Sequence, residues 1–507
     1  MLKSIELEKY KSFKEKTPIN LAPLTLLCGV NSSGKSSILK SLLMMKQTIE
    51  KESTYNKLAF IGNYVDNGYF DDIVNFDCKD DNFFTIQNEF TLCKFNSSDK
   101  KRQDMVAFKE FYKLYSPIIG KGKIVKFIIK HYVKVEKSPN QGLLSYIDNN
   151  NVIETRIEIK AFDKNDNELK ECTGYINLRH VNGREYQLTY SKIPDKKSLA
   201  TSPQVKNVYV CYFNNIKLIN IFKEGGISYE VLDVKPTIMQ LFNTASSLYT
   251  GIKFLAPLRQ FPSRFYTITG DVNSVGIYGE NAPVLLAKLQ NEYSNSDIST
   301  PTKSEFETES TFVLSNYMDN TTLFIEQVQN WLDYLGIGTV KVEGSNGQIS
   351  VKFSDHNISD VGFGISQVLP IIVQGLSMQK DQLLLLEQPE IHLHPKMQMR
   401  IADFLISLAY SERNLIVETH SDHIINRIVR RVVEYSRTNY DISNLVKILF
   451  VYKDSDNSSK ICEEIKIDPV KGLVNCPPEF FDQYGNELRN IMSEGFENLK
   501  RRGQANE

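Results

Sequence analysis

The sequence predicts an α/β fold whose parallel sheet is assembled from both ends of the chain, with a β-rich region inserted between them. Three observations carry this. Apolar strands alternate with amphipathic helices through the C-terminal half, the signature of a largely parallel sheet. Near the N-terminus, the apolar run Leu24–Cys28 passes straight into a glycine-bearing turn and a helix. Between these parts, from about Asp77 to Tyr249, the chain becomes rich in Tyr, Phe, Asn and Lys and reads as successive strands.

Residues 5–13 and Leu24–Cys28 read as strands. The helix that follows starts at Lys35 and runs to about Ile49, with Ile38, Leu39, Leu42, Leu43 and Met45 on its apolar side. In the middle region, residues 123–136, 153–162 and 207–213 have strand character. Val181-Asn182-Gly183-Arg184 signals a hairpin, because Asn-Gly tolerates the positive φ of a tight turn. Sustained apolar heptads are absent, which argues against a coiled-coil arm. Beyond Gly251 a hairpin is expected over residues 338–355, around Ser345-Asn346-Gly347. Then follow a helix (361–376), a strand (383–386), a helix (396–409), a strand (415–418), a helix (423–435) and a strand (446–452). The expected division is residues 1–75, one half of a head; 76–249, the insert; and 250–507, the other half.

Composition narrows the function classes. A length of 507 residues implies two or three domains. With 60 basic and 61 acidic side chains, no global positive field draws the protein onto nucleic acid. No apolar run approaches the ~18 residues of a membrane span. The opening Met1-Leu2-Lys3-Ser4-Ile5-Glu6 alternates like a strand and lacks the apolar stretch of a signal peptide. The seven cysteines form no CxxC pair, so reduced thiols in a cytoplasm are expected, with Cys28 a small core residue.

Four motifs carry chemistry. Gly29-Val30-Asn31-Ser32-Ser33-Gly34-Lys35-Ser36 is a full GxxxxGK[ST] between a strand and a helix. Its backbone N–H groups, together with Asn31, Ser32, Ser33 and Ser37, suit a polyphosphate at a helix N-terminus. Lys35 would reach the β/γ oxygens and Ser36 would hold Mg²⁺, which makes ATP and Mg²⁺ the expected cofactors. Leu383-Leu384-Leu385-Leu386-Glu387 is a buried strand with a carboxylate at its tip, the Walker B arrangement, in which Glu387 is a second Mg²⁺ ligand. In Val361-Gly362-Phe363-Gly364-Ile365-Ser366-Gln367, glycines lead into Ser-Gln at a helix start, an anion-binding N-terminus. Val417-Glu418-Thr419-His420-Ser421 ends a strand in a histidine that can face a γ-phosphate. His392, His394, His420 and His423 also have metal-ligand spacings.

The order of these motifs resembles the heads of ABC-type ATPases, which implies a split ABC-type P-loop head. Glu387-Gln388-Pro389-Glu390-Ile391-His392-Leu393-His394-Pro395 with Thr419-His420-Ser421 resembles the overcoming-lysogenisation-defect group. The likeness extends to AAA-like ATPase subunits of Septu-like and other anti-phage defence systems. Phe254-Leu255-Ala256-Pro257-Leu258-Arg259, residues 276–280 and Pro478-Glu479-Phe480-Phe481-Asp482 are similar to that group too. The likeness covers roughly the first 75 and last 260 residues and accounts for the histidines without a structural metal. It implies that Gly364, Ser366 and Gln367 of one subunit face the phosphate held by Lys35 of another, so that ATP joins a head-to-tail homodimer or higher oligomer.

The departure is Gln388, where most such ATPases carry the Glu that polarises the attacking water. A Gln orients water but accepts no proton, so either Glu390 substitutes or hydrolysis is slow and ATP acts as a clamp. The expected catalytic set is Glu387, Gln388, Glu390 and His420. The chain shows no Toprim-like acidic cluster. The reading is an ATP-dependent regulatory or sensor subunit of a defence system, partnered by a separate effector such as a nuclease. DNA is a further candidate partner and a membrane is not. The alternatives are a repair or chromosome-maintenance ATPase of the recombination-repair type, and an ATP-clamped binding module with negligible hydrolysis.

Overall fold

The computed structural model describes the chain except residues 52–57, 94–102, 120–121, 138–149, 183–184, 193, 196–197, 200–203, 215–216, 224–229, 232–234, 269, 294–296, 302–311, 315–321, 346, 455–458, 462–463, 478–479, 482–486, 488 and 495–507. The centres of both expected Asn-Gly turns, and parts of 478–482, lie outside the described residues. The strands flanking each turn do pair antiparallel, with Asn182 opposite Glu185 and Ser345 opposite Gln348.

Leu24–Cys28 (β1) lies inside a six-stranded sheet. Its order is Lys253–Leu255 (β2), Leu383–Glu387 (β3), Asn414–Glu418 (β4), β1, Val446–Lys453 (β5) and Ser459–Ile461 (β6). The first five strands run parallel and β6 is antiparallel at the edge. The N-terminal strand is therefore held between two C-terminal ones. Such a sheet is covered on both faces, which is why Leu383–Leu386 and all of β1 are buried. Alternate side chains serve two cores. Leu27, Leu385, Ile416 and Leu449 pack with helix Lys35–Glu50 (α1). Leu26, Leu384, Leu386 and Val417 pack with helices Phe363–Ser377 (α2), Pro395–Tyr410 (α3) and Asp422–Tyr435 (α4).

The inserted strands do not form a separate body. They extend an antiparallel sheet of ten strands that begins with Thr17–Asn20 and Leu2–Glu8. It continues through Phe83–Cys93, Lys126–Lys137, Asn150–Phe162, Gly174–Asn182, Glu185–Ser191 and Gln204–Asn214 to Lys217–Lys223 and Glu230–Val231. Helix α1 packs between the two sheets, so Ile38, Leu42 and Met45 share one core with Phe84, Phe127 and Ile157.

Two expectations are corrected. Residues 5–13 are not one strand: it ends at Glu8, because Lys9 and Lys11 take φ of 54° and 52° and reverse the chain. Tyr10 and Phe13 then exchange backbone hydrogen bonds of 2.9 Å across this turn. The insert also contains two long helices, Gln103–Ile119 and Lys235–Thr250. The second brings Tyr249 onto the large sheet, where its hydroxyl lies 3.1 Å from Nδ1 of the fully buried His131. Burial pushes His131 down to about 3, so it is a neutral, satisfied core residue.

Candidate nucleotide site

The loop from Gly29 to Lys35 is shaped by two glycines. Gly29 has φ 137° and Gly34 φ 110°, outside the range other residues adopt readily. A Cβ on Gly29 would stand 2.0 Å from the Val451 carbonyl oxygen, and one on Gly34 would stand 2.6 Å from Ser12 Oγ. The loop thus nests against β5 on one side and the Lys11–Phe13 turn on the other. Helix α1 then starts after Gly34 with no side-chain cap and no acidic residue in its first turn, so no side chain competes with an anion at its N-terminus. Asn31 and Ser32 are exposed, and Ser33 is buried with its hydroxyl unpartnered. Ser37 donates its N–H to Gly34 O at 3.1 Å.

Lys35 is nearly buried and folds over the loop, donating to Gly29 O at 3.0 Å and Val30 O at 2.8 Å. Burial pushes its ammonium below the ordinary value, and the Glu418 carboxylate opposes that. These carbonyl bonds are ones a phosphate oxygen can replace. Ser36 Oγ donates to Glu418 Oε1 at 3.0 Å and so joins the P-loop to the tip of β4.

Glu387 and Glu418 end neighbouring parallel strands in direct register. Burial, then the charge of Glu418, pushes Glu387 up to about 7. Glu418 is raised as well, chiefly by burial, and its Oε2 is buried without a partner. Two carboxylates and a serine hydroxyl form an all-oxygen donor set, the kind that suits Mg²⁺ with phosphate oxygens. The orphaned Oε2 and the unfavourable crowding of two carboxylates fit a divalent cation here. Sequence reasoning missed Glu418, although Leu-Ile-Val-Glu repeats the pattern of β3 in shorter form.

Gln388 follows with φ 43°, left-handed for a non-glycine residue, and its N–H donates to Glu418 O at 2.7 Å. Glu390 has both carboxylate oxygens engaged: Oε2 accepts from Thr419 Oγ1 at 2.9 Å, Oε1 from His420 N at 2.7 Å. Glu390 therefore braces the turn that carries His420. Desolvation and then the Lys35 charge push the His420 imidazole below its ordinary value. The four histidines have separate surroundings. His392 packs edge-on to Phe363, His394 caps α3 through Lys396 N at 3.3 Å, and His423 lies 3.7 Å from Asp422.

Helix α2 starts at Gly362, likewise without a side-chain cap or an acidic first turn. Gly364 lies close under the His392 carbonyl, 2.8 Å from where a Cβ would stand. Ser366 is mostly buried and its Oγ donates to Phe363 O at 2.7 Å. Gln367 is fully buried, and its Oε1 accepts from Arg259 N at 3.3 Å. The structure thus gathers Lys35, Ser36, Glu387 and Glu418 in one centre, with Glu390 and His420 at its rim. Gln367 is held inside its own chain.

No helix among the described residues is long and apolar enough to cross a membrane. Comparison with known proteins gives three kinds of result. No curated protein matches the chain. Among solved structures, an SmcHead bound to the C-winged helix domain of ScpA is similar at 12% identity and TM-score 0.37, covering 92% of this chain and 98% of that one. The SMC head domain from Thermotoga maritima is similar at 10% identity and TM-score 0.32, covering 91% and 98%. The third result is a family model described as an AAA ATPase domain, which matches residues 1–425 and so takes in the P-loop, α2, β3 and β4. Such a domain implies nucleotide binding, and the chain belongs to the AAA ATPase domain family.

Proposed function

We propose that this protein binds ATP with Mg²⁺ between α1, β3 and β4, and hydrolyses it slowly as the regulatory or sensor subunit of an anti-phage defence complex. The observation that carries the nucleotide part is the Ser36–Glu418 bond, which joins a P-loop hydroxyl to a carboxylate from the C-terminal half of the chain. Ser36, Glu387 and Glu418 would hold the cation, which neutralises phosphate charge. Lys35 would exchange its loop carbonyls for phosphate oxygens, and the N-terminus of α1 would receive the phosphates. Gln388 would orient water without taking its proton. The defence role and a separate effector, such as a nuclease, rest on the likeness of residues 387–395 and 419–421 to defence ATPases.

Lys35→Ala removes the charged donor and is expected to weaken ATP binding at least ~10–100-fold, since hydrogen bonds to charged groups contribute about 1.5–3 kcal/mol. Isothermal titration calorimetry checks this, and unchanged affinity would sink the assignment. The composite site makes a separate demand. Ser366→Arg puts bulk at the open end of α2 while leaving the P-loop intact. ATP affinity is then expected to hold while ATP-dependent assembly, followed by light scattering, is lost. A mutant that assembles like the wild type refutes the head-to-tail arrangement.

A further inference from the structure

Arg259 is 3% exposed and closes the segment 254–259, outside the four motifs that carry chemistry. It leaves the sheet just beyond β2, whose Leu255 lies opposite Leu386 of β3. Its guanidinium therefore sits at the tip of the Walker B strand. One Nη donates to Pro257 O at 2.8 Å and Gln388 O at 3.1 Å, and the other to Glu387 O at 3.0 Å. A planar fork that grips two successive carbonyls fixes the two peptide planes that meet at the Cα between them, as a lysine ammonium does not. Here that Cα is Gln388's, whose left-handed φ needs outside support. The backbone N–H of Arg259 donates to the fully buried Gln367 of α2. One residue thus touches both the turn that bears the water-orienting side chain and the helix whose N-terminus faces outward.

The same segment has an outer side. Leu258 and Phe261, flanking Arg259, are 64% and 75% exposed, and the Phe261 ring lies 4.7 Å from that of Phe363 in the first turn of α2. Gly279, beside Arg259, also closes on α2, with room for no Cβ against Pro370. A second copy seated at the start of α2 would press on this apolar skin, and Arg259 is the rigid link from there to β3.

We propose that Arg259 is a positioning residue for ATP hydrolysis, which holds the Glu387–Gln388 turn in register with α2 and so makes turnover depend on where that helix sits. This rests on the ATPase reading above. Because small misplacements of a reacting group cost about 10²-fold in rate, Arg259→Lys, which keeps the charge and loses the fork, is expected to lower single-turnover hydrolysis by roughly that factor. ATP affinity is expected to stay within about twofold, because Arg259 bonds no P-loop atom. Gln367→Leu cuts the other end of the link and is expected to give the same kcat-only loss. The double variant should be little worse than either single one, since coupled positions are not additive. Millimolar ethylguanidinium should restore part of the rate to Arg259→Ala, a rescue that a merely structural arginine does not show. If Arg259→Ala fails to fold, Arg259→Lys and Gln367→Leu carry the test. Wild-type turnover in Arg259→Lys, or fully additive losses in the double variant, overturns the inference and leaves the ATPase reading standing. A wild-type protein that binds no ATP overturns both.

Discussion

Gln388→Glu is expected to speed single-turnover ATP hydrolysis by roughly 10²–10⁴-fold, the range that general-base help contributes. Gln388 follows the strand that ends in Glu387, and its backbone is held on both sides: its N–H by Glu418 O and its carbonyl by Arg259. The substitution changes one terminal group on a residue whose backbone is already held, so it supplies a proton acceptor with little structural cost. The rival base is Glu390. Its two oxygens are spent on Thr419 and on the N–H of His420, and burial raises it above the usual carboxylate range. Glu390→Gln should therefore act through the His420 turn, with a loss of about tenfold or less, smaller than the general-base range. Rapid-quench measurements on both variants decide. Collapse of turnover in Glu390→Gln with no gain in Gln388→Glu would transfer the role to Glu390. Fast wild-type turnover that Gln388→Glu does not improve would make the protein an ordinary cycling ATPase.

Asp403→Ala is expected to cost about 3–5 kcal/mol of folding stability, the usual effect of breaking a buried ion pair from one side. Asp403 on α3 has no exposed surface. Its Oδ2 accepts from Arg427 Nη2 at 2.7 Å and from Tyr334 OH at 2.6 Å, and Oδ1 from Arg431 Nε at 2.7 Å. Removing the carboxylate leaves two guanidiniums facing each other with little solvent, since their side chains are only 15% and 7% exposed. The cluster fastens α3 to α4 beneath β4, so the loss should be global. Urea denaturation followed by circular dichroism measures it. A loss under about 1 kcal/mol, the level of a surface ion pair, would mean that water takes the place of the carboxylate.

Much of the candidate nucleotide centre was legible because a phosphate-binding loop is a short contiguous stretch. Gly29 to Ser36 contains its own turn, helix start and cation, so no knowledge of distant pairing was required. Glu387 was legible because four leucines before a carboxylate describe a buried strand with a charged tip. Glu418 has the same grammar but was read past in favour of His420. Its importance comes from lying beside Glu387 and against Ser36, which is a matter of strand order. Arg259 was noticed only as the end of the family-like segment 254–259, and its role was not legible, since a single arginine after an apolar strand is ordinary until its carbonyl partners are known. In the middle region particular runs, 123–136, 153–162 and 207–213, read as strands and no helix was expected. Helix Gln103–Ile119 was hidden because its Phe and Tyr residues suit strands equally well and it carries Pro117 within its span.

The position of β1 also bears on how the chain comes to be folded. Leu24–Cys28 leaves the ribosome well before either of its sheet neighbours, β4 and β5, which lie beyond residue 413. At about 5–20 residues per second, the N-terminal strand waits on the order of tens of seconds for its partners. Throughout that interval its edges are open, and contacts of such long sequence separation form slowly once the chain is complete. The antiparallel sheet has no such delay, since its strands up to Glu230–Val231 are synthesised first and pair mostly with near neighbours. It is the natural early platform, with α1 resting on one face while the other half of the molecule is still being made. A chain terminated before β5 would keep a complete Gly29-to-Ser36 motif and still lack the wall that shapes it, so an intact motif in a shortened product is no guide to a working site.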